Sequence, residues 1–524
     1  PPPAGASDCS PTAAEFIAPV RKLSLLSQSS KMISMKSPSE LGPRGLIEKL
    51  PPFVQKSMIG VFLLGMLGIF IAMCVLSDID TTPDVGVYAV DADYNYLPNA
   101  TNPDQYAYAF DYDGNVVPAV TTATTAWMLI ASFLVLIMTP GLAFFYGGMI
   151  NHKNVIATLA ASILPMGVIP LLWCWFTYSL SFGVTAGYPE FIGNPATHGF
   201  MEGIGANGQG LYSSTFWLFQ GMFAIITPAI LIGAIADRVN FPALLLFVPM
   251  WHMGVYCPMA HMVFGGGLIA DYGILDFAGG IVVHMSSGWG ALAAALYLGP
   301  RAAIDQSGPA QIPFTVLGAS LLWFGWFGFN AGSGGVADNI VPHAFLNTVI
   351  ATAGSMLTWI ILDQLKGRPF KVTGMAMGIV VGLVSITPGC AYVNYGAALI
   401  IGMFTSCMSW LVQWGMVAWG KTVADDTLDV FACHGIGGTF GMILTSLFQN
   451  TEYGAGVDGA FYGNGIELGK CLLVLVCVVG YFIVATIILL AVTNLFISVR
   501  ATPEEEEEGL DFSKHFENQY NDEA

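Results

Sequence analysis

Apolar stretches of about 20 residues recur along the chain, and short polar segments separate them. A helix of that length crosses the hydrocarbon core of a bilayer, so each stretch predicts a transmembrane helix. One stretch, Met58 to Leu76, stands apart near the N-terminus. The other eleven lie at residues 124–150, 155–184, 211–236, 241–266, 276–299, 311–332, 341–363, 372–388, 394–420, 429–449 and 467–497. The pattern predicts an all-α polytopic membrane protein with an eleven-helix core and one extra N-terminal transmembrane helix.

The composition strengthens this prediction. Hydrophobic residues make up 55% of the chain and charged residues only 10%, and the 61 glycines suit closely packed transmembrane helices. The net charge of −18 comes largely from local acidic segments, such as the run from Glu504 to Glu508. A nucleic-acid partner is excluded because the basic surface that phosphate binding requires is absent. The nine cysteines form no Cys-x-x-Cys pair, so neither a metal site nor a disulfide framework is predicted, and no cofactor is expected.

Lysine and arginine fall in every second loop, and only Lys470 breaks the alternation. Short cytoplasmic loops retain such residues, so the alternation predicts that both termini are cytoplasmic. Residues 78–123 then form an extracellular acidic loop with eight aspartates between Asp78 and Asp113. This loop holds the sequon Asn99-Ala100-Thr101, which makes Asn99 a candidate glycosylation site.

The apolar pattern and the distribution of charged residues together divide the chain into five segments. Residues 1–56, rich in serine and proline and without an apolar period, predict a mostly disordered cytosolic tail. Residues 57–77 are an extra transmembrane helix or signal anchor, and the alternative is a cleaved signal peptide, because a basic region precedes the apolar one. The acidic loop 78–123 follows. Residues 124–499 form the core of eleven transmembrane helices, and residues 500–524 form a cytosolic C-terminal tail.

Two histidines, His284 and His434, each lie inside an uncharged apolar run. A titratable side chain at membrane depth is costly and faces the interior of the bundle, so both are candidate pore residues. Asp276 and Asp429 open the two runs, and the loop alternation makes the runs cross in opposite directions. This parallel predicts an inverted repeat of five helices plus five. The alternative is that two unrelated polar residues hold helices together.

Aromatic residues cluster in two of the predicted spans, whereas an arginine or lysine cluster and a carbonyl-filter sequence are absent. Aromatic faces attract cations, and an apolar constriction resists a bare ion. A pore for a small cation or neutral solute fits this pattern, although any single ring could serve helix packing alone. The clustered residues are Phe216, Trp217, Phe219, Phe223, Trp323, Phe324, Trp326, Phe327 and Phe329.

Six segments together resemble the ammonium transporter (Amt/Mep/Rh) family. They are FFYGGMINHKNV (144–155), FQGMFAIITPAILIGAIADR (219–238), AHMVFGGGLI (260–269), LDFAGGIVVH (275–284), GWFGFNAGSGG (325–335) and DVFACHGIGGTFG (429–441). Their order and spacing agree from about Thr121 to Tyr520, and GWFGFNAGS with the DFAGG…VVH segment favours the Amt branch. The resemblance implies the eleven-helix ammonium transporter fold with its inverted repeat.

The resemblance also implies roles inside the pore. His284 and His434 match the twin histidines that relay ammonia, or a proton, along the hydrophobic channel. Asp276 matches the aspartate that orients backbone groups near the outer recruitment site and supports cation binding. Phe223 and Phe329 match the stacked phenylalanines that gate the pore.

Further positions match the outer cation site and the tail. Phe219 and Ser333 match the lining of the outer site, whereas Phe264 stands where the family usually has a tryptophan. Ser513 falls where plant relatives carry a regulatory threonine, and Phe516 replaces a tail glycine. The resemblance further implies a homotrimer with one pore in each subunit, a plasma-membrane location and a C-terminal tail that couples subunits and could meet a cytosolic regulator.

The predicted function is therefore transmembrane transport of ammonium or ammonia, and of methylammonium. Two alternatives remain at this point. The first is an ammonium sensor that transports little. The second is a membrane-embedded acid/base enzyme, which is disfavoured because no nucleophile or metal-ligand motif accompanies the histidines.

Overall fold

The structure is a computed structural model. It describes residues 109–110, 116–117, 122–183, 190–204, 210–302, 308–418 and 424–517. The predicted N-terminal tail, the apolar stretch from Met58 to Leu76 and the sequon at Asn99 lie outside the described residues. Within the predicted external loop, two short strands pair antiparallel at Ala109–Phe110 and Val116–Val117.

Eleven apolar helices form the described bundle, as the apolar pattern predicts. Ten of them are long and apolar enough to cross a membrane, and the eighth is a shorter apolar helix. They are α1 Thr122–Met149, α2 His152–Phe182, α3 Ser214–Ile235, α4 Phe241–Asp271, α5 Gly280–Leu298, α6 Ile312–Gly332, α7 Ile340–Leu365, α8 Val372–Ile386, α9 Tyr395–Ala418, α10 Phe431–Phe448 and α11 Gly465–Phe496.

The bundle is closely packed where the first helices of the two halves, α1 and α6, lie against each other. Glycines allow this contact. A Cβ atom on Gly318 of α6 would lie 2.2 Å from the backbone nitrogen of Phe145 in α1, and one on Gly141 would lie 2.9 Å from Leu321 Cβ. Such small residues let transmembrane helices approach each other at backbone distance. The packing of α1 on α6 therefore depends on glycines spread over both helices.

The C-terminal tail folds back onto one end of the bundle, which we call the tail side. The tail contains a short helix, α12 Pro503–Glu508, and a wide helical turn, α13 Asp511–His515. Thr502 and Glu505 cap α12 reciprocally, which is the arrangement that satisfies free N–H groups at a helix start. The opposite end of the bundle, where α5 begins, is called the far side.

Candidate functional site

Each of the two histidines lies on a wide, π-helical first turn. Gly280–Met285 forms this turn in α5 and includes His284, and Phe431–Ile436 forms it in α10 and includes His434. Such turns are rare in helices and are often found at functional sites. The two histidine-bearing helices therefore share an unusual local geometry.

An aspartate caps the start of α5. Asp276 lies in the loop ahead of the helix, and its side chain accepts hydrogen bonds from Gly280 N at 2.6 Å and Ile281 N at 2.7 Å, with a third from Gly279 N at 3.0 Å. A carboxylate at this position satisfies the free N–H groups and favours the positive end of the helix dipole. Asp276 thereby fixes the turn that carries His284.

The start of α10 has the same kind of cap. The aspartate that provides it is Asp426, and not Asp429 as the sequence suggests. Asp426 accepts from Val430 N at 3.0 Å and Phe431 N at 2.7 Å, which are the equivalent positions four and five residues on. The pairing of Asp429 with Asp276 was wrong. Asp429 adopts a left-handed conformation with φ of 56° and contacts the Gln413 side chain.

A spacing in the sequence could have identified Asp426. His284 follows Asp276 by eight residues, and His434 follows Asp426 by eight. Asp425, beside Asp426, binds Arg301, which lies just after the end of α5. Since α10 begins at the end of the bundle where α5 finishes, the two helices run in opposite directions. The capped turns are therefore related by inversion, as the repeat predicts.

The two helices cross at glycines. A Cβ atom on Gly288 would lie only 2.0 Å from the backbone nitrogen of Gly435, and one on Gly438 would lie 3.0 Å from the Gly280 carbonyl oxygen and 3.2 Å from His284 Cβ. Gly288 and Gly438 each follow a histidine by four residues, one helical turn. This close crossing brings the two imidazole rings together.

The imidazoles of His284 and His434 meet through their Nδ1 atoms, which lie 3.3 Å apart. Both side chains are buried, at 0% and 3% exposure. A hydrogen bond between two such nitrogens requires one to donate and the other to accept, so a neutral pair carries opposite tautomers. Among the described residues, His284 Nε2 has no hydrogen-bond partner. The pair is thus linked on one side, with a polar atom of His284 unused on the other.

A row of aromatic rings leads to the histidines. The rings of Phe223 and Phe329 stack at 4.1 Å and 24°, and Phe219 lies 4.9 Å from Phe223. Phe329 and Trp326 of α6 both lie nearly parallel to His284, at 5.7 Å and 5.2 Å. The two phenylalanines predicted to stack are therefore in contact and continue directly to the first histidine.

The structure does not bring together all the residues predicted to line the outer cation site. The ring of Phe219 lies against Gly332, the residue before Ser333, and the Ser333 hydroxyl donates to the Phe329 carbonyl oxygen at 2.8 Å. Phe264 ends a helical segment of α4 and packs, half-buried, at the edge of the main core. Among the described residues Phe264 has no ring contact with the other predicted site phenylalanines. The structure groups Phe219, Ser333, Phe223 and Phe329, and leaves Phe264 beside this group.

Beyond the histidine pair, a narrow cavity borders His434. Its other lining residues are apolar and come from α1, α3, α6 and α8: Leu142, Phe145, Ile226, Ile230, Leu322, Trp326 and Val380. No group of three or more histidine, cysteine, aspartate or glutamate side chains in the described residues is arranged to hold a metal ion. The surroundings of the pair are therefore aromatic on one side and largely aliphatic on the other.

The tail contacts the bundle through backbone groups and buried polar side chains. Lys153 Nζ donates to the carbonyl oxygens of Glu506 and Glu507, at 2.9 and 2.6 Å, and Asn154 Oδ1 accepts from Leu510 N at 2.7 Å. Asp511 Oδ1 accepts from Ala157 N at 2.8 Å. The described part of the tail is docked.

Phe516, which stands in place of a tail glycine, does not prevent this docking. Phe516 ends the α13 turn in a left-handed conformation, with φ of 56°, and its side chain is 79% exposed. A left-handed conformation suits glycine best and costs a bulky residue some strain, but an exposed ring meets no steric obstacle in the bundle. The replacement of the tail glycine by Phe516 is therefore compatible with a docked tail.

A charge cluster lies between the docked tail and the start of α10. Arg301 binds Asp425 and Asp237, each at 2.8 Å. Burial acts to raise the pKa of Asp425, but hydrogen bonds and charge from Arg301 outweigh it and hold the pKa below its ordinary value. Burial instead raises the pKa of Asp237, and it lowers the pKa of Arg238 to about 10. Arg301 is thus the cation that holds this cluster together.

Ser513 is partly buried and bonds within the tail. Its hydroxyl donates to the Gly509 carbonyl oxygen at 2.8 Å and lies 3.5 Å from that of Glu505. The Glu505 carboxylate pairs with Lys514 at 2.6 Å. A negative charge added to Ser513 would therefore lie beside an acidic residue of the same tail.

An eleven-helix bundle made of two inverted halves, with paired histidines buried where the halves cross, is the architecture of a membrane transporter. The chain belongs to the Ammonium Transporter Family, whose model matches residues 126–520.

Individual relatives agree with this membership. An ammonium transporter of Bacillus subtilis is 40% identical over 405 residues, which cover 76% of this chain and 98% of that protein. The crystal structure of Mep2 from Saccharomyces cerevisiae superposes with a TM-score of 0.68 at 30% identity, and covers 73% of this chain and 88% of that one. A solved sensor Amt protein, 26% identical, superposes with a TM-score of 0.69 over 75% of this chain and 98% of that one.

Proposed function

We propose that this protein transports ammonium across the plasma membrane as ammonia that passes the buried histidine pair, and that methylammonium follows the same route. The observation that carries the proposal is the contact between His284 and His434, which joins two oppositely directed capped helices at an aromatic row. The chain belongs to a transporter family, which favours transport over enzyme chemistry as the role of the histidine pair.

Recruitment takes place at the far side, which the distribution of basic residues assigns to the exterior. Ammonium binds there near Phe219 and Ser333, because aromatic faces attract cations and a hydroxyl or carbonyl oxygen accepts its hydrogen bonds. Phe264 completes this site less strongly than a tryptophan would. Asp276 contributes as a positioning residue, since its carboxylate is engaged with the α5 backbone.

Deprotonation follows because a bare cation is unfavourable in the apolar path. Placing an isolated charge among aromatic and aliphatic side chains costs far more than placing a neutral solute there. Phe223 and Phe329 separate the outer site from His284, so ammonia passes between their rings. His284 and His434 then offer neutral imidazole hydrogen bonds along a path that otherwise supplies few polar groups.

The proposal extends to assembly and control. Both termini are cytoplasmic, the functional unit is a homotrimer, and the C-terminal tail regulates transport from the cytosol, where a partner protein could also bind. The docked tail supports this view, because Glu506 binds Arg500 at 2.6 Å and accepts from Ala302 N at 2.9 Å, next to the Arg301 cluster. Ser513 is the proposed regulatory position.

A second candidate function is ammonium sensing with little transport. The specific observation in its favour is the structural similarity to a sensor Amt protein. A sensor could keep the outer site and the docked tail without passing solute at an appreciable rate.

Uptake of labelled methylammonium by cells that lack their own ammonium transporters distinguishes the two candidates. We expect uptake well above that of cells carrying an empty vector, and competition by added ammonium. Correct surface expression without uptake would favour the sensor and contradict transport.

A further inference from the structure

The eighth helix ends early, and the residue that follows it contacts Trp326. Trp326 and Phe329 are the two rings that face His284, and we call them the aromatic wall. α8 runs only from Val372 to Ile386, and residues 387–394 continue as turns before α9 begins. Non-helical backbone at membrane depth is tolerated where it is enclosed by protein or borders a cavity. The turn after α8 is therefore placed to act on the surroundings of the histidine pair.

Thr387, the first residue after α8, contacts one ring of that wall. Its Oγ1 atom accepts a hydrogen bond from Trp326 Nε1 at 2.9 Å, and both residues are buried at 0 to 1% exposure. Nε1 is the sole hydrogen-bonding atom of an indole side chain. This bond therefore fixes the rotation of the Trp326 ring, which lies 5.2 Å from His284 and nearly parallel to it.

The network continues from Thr387 to the residue beside the gating ring. Thr387 Oγ1 lies 2.8 Å from Leu383 O and 3.2 Å from Asn330 Oδ1, and its hydroxyl can donate to either oxygen. Asn330 follows Phe329 in α6 and donates from Nδ2 to Thr348 Oγ1 in α7 at 2.9 Å. These bonds thus join α6, α7 and the end of α8 at the Trp326 ring and at the residue that follows Phe329.

The same turn also holds the far-side loop. The carbonyl oxygen of Pro388 accepts from Phe277 N at 3.0 Å, and a Cβ atom on Gly280 would lie 2.8 Å from Pro388 Cβ. Phe277 directly follows Asp276, which caps the turn that carries His284. The end of α8 therefore contacts both the ring wall and the loop that positions the histidine helix.

We infer that Thr387 and Asn330 are positioning residues that set the rate of ammonia passage by holding Trp326 and Phe329 against His284. This inference rests on the proposed function, and it deepens it by assigning residues that touch neither the solute nor the histidines. Loss of the Thr387 hydroxyl leaves a buried indole N–H without its acceptor and frees the ring to turn. The outer recruitment site is unchanged, so the effect falls on the maximal rate rather than on half-saturation.

The experiment compares Thr387→Ala with Thr387→Ser, which differ mainly by the hydroxyl. Uptake of labelled methylammonium is measured across concentrations and divided by the amount of protein at the cell surface. We expect Thr387→Ala to lower the maximal rate about tenfold, the scale of a lost buried hydrogen bond, with half-saturation within about twofold of wild type. Thr387→Ser should keep most of the wild-type rate.

A second buried pair of the same kind supplies the control. Trp251 Nε1 donates to Thr486 Oγ1 at 3.0 Å between α4 and α11, and both residues are 0% exposed. Thr486→Ala therefore removes the same type of bond without touching Trp326, the ring that faces His284. We expect it to lower the amount of folded protein without changing the maximal rate per molecule.

The outcomes separate this inference from the function on which it rests. A wild-type protein at the surface that transports nothing would overturn both. A transporting wild type with an unchanged Thr387→Ala rate, or with equal losses in Thr387→Ala and Thr486→Ala, would overturn the positioning role alone. If Thr387→Ala does not reach the surface, Asn330→Asp is measured instead. That variant keeps the shape of the side chain but loses the N–H donor to Thr348, and a wild-type rate for it would also contradict the inference.

Discussion

The two histidine helices share one frame but have different neighbours. In both, an aspartate eight residues earlier caps a wide first turn, and a glycine one turn later lies at the crossing. His284 faces the rings of Trp326 and Phe329, whereas His434 borders a largely aliphatic cavity. The repeat thus provides the same backbone twice, and the residues around it give the two halves different surroundings.

The difference also extends to the two ends of the protein. The α5 cap lies at the far side, where the neighbouring Phe277 packs beside Gly334, next to Ser333. The α10 cap, Asp426, directly follows Asp425, which the Arg301 cluster connects to the docked tail. Changes at the α5 cap are therefore expected to alter substrate binding, and changes at the α10 cap to alter the rate and its control by the tail.

The crossing glycines give the largest expected effect. Gly288→Ala places a Cβ atom 2.0 Å from the Gly435 backbone nitrogen, so the helices cannot keep their present separation, and we expect almost no folded protein. Gly438→Ala should be milder, because its closest contacts lie at 3.0 Å. The yield of monodisperse protein in detergent measures both. Equal yields of the two variants would contradict the asymmetry at the crossing.

The caps give the next effect. Asp276→Ala and Asp426→Ala each remove an acceptor from buried N–H groups, and we expect each to lower the free energy of unfolding by ~1–2 kcal/mol. Thermal unfolding of the purified variants checks this. In uptake assays Asp276→Ala should also raise half-saturation, whereas Asp426→Ala should lower mainly the maximal rate. An Asp426→Ala protein with wild-type stability would remove its role as the counterpart of Asp276.

Phe264→Trp tests the proposed outer recruitment site without changing the histidine pair. Tryptophan is the strongest aromatic partner for a cation, and a gain of ~1 kcal/mol corresponds to roughly fivefold tighter binding. Half-saturation for ammonium should therefore fall several-fold, with little change in selectivity against sodium and potassium. It is read from uptake or current at fixed pH. Coincident values for variant and wild type would place Phe264 outside the recruitment site.

Ser513→Asp tests the tail and carries the smallest effect. The added charge lies beside Glu505 in a tail that is already acidic, and a like-charge contact costs roughly 0.5 kcal/mol. We expect about twofold slower uptake at equal surface expression, with Ser513→Ala as the uncharged control. A phosphate, with its larger charge, should act in the same direction. If Asp and Ala variants transport equally, Ser513 has no part in regulation.

The sequence predicts the features that depend on local composition. Apolar length identifies the eleven helices, and a histidine in an uncharged run marks His284 and His434 as candidates, because hydrocarbon penalises polar groups. The same criterion also fits the buried His252 and His261 of α4, so the two parallel runs were needed to choose the pair. Asp426 was missed because it lies outside the apolar run. Asp429 lies at the start of that run, closer to His434, and was paired with Asp276 instead. Thr387 could not be found from sequence, since its bond to Trp326 joins residues 61 positions apart. Contacts made by chain folding leave no periodic signal.

Selective ammonium transport is proposed to depend on the two buried histidines. The most direct test records current or uptake under an ammonium gradient in the His284→Ala and His434→Ala double variant, with its assembly state measured in parallel. We predict an assembled protein that has lost selective ammonium transport, because the apolar path then offers no relay between its two sides. Ammonium transport by the double variant at the rate and selectivity of the wild type would contradict the account.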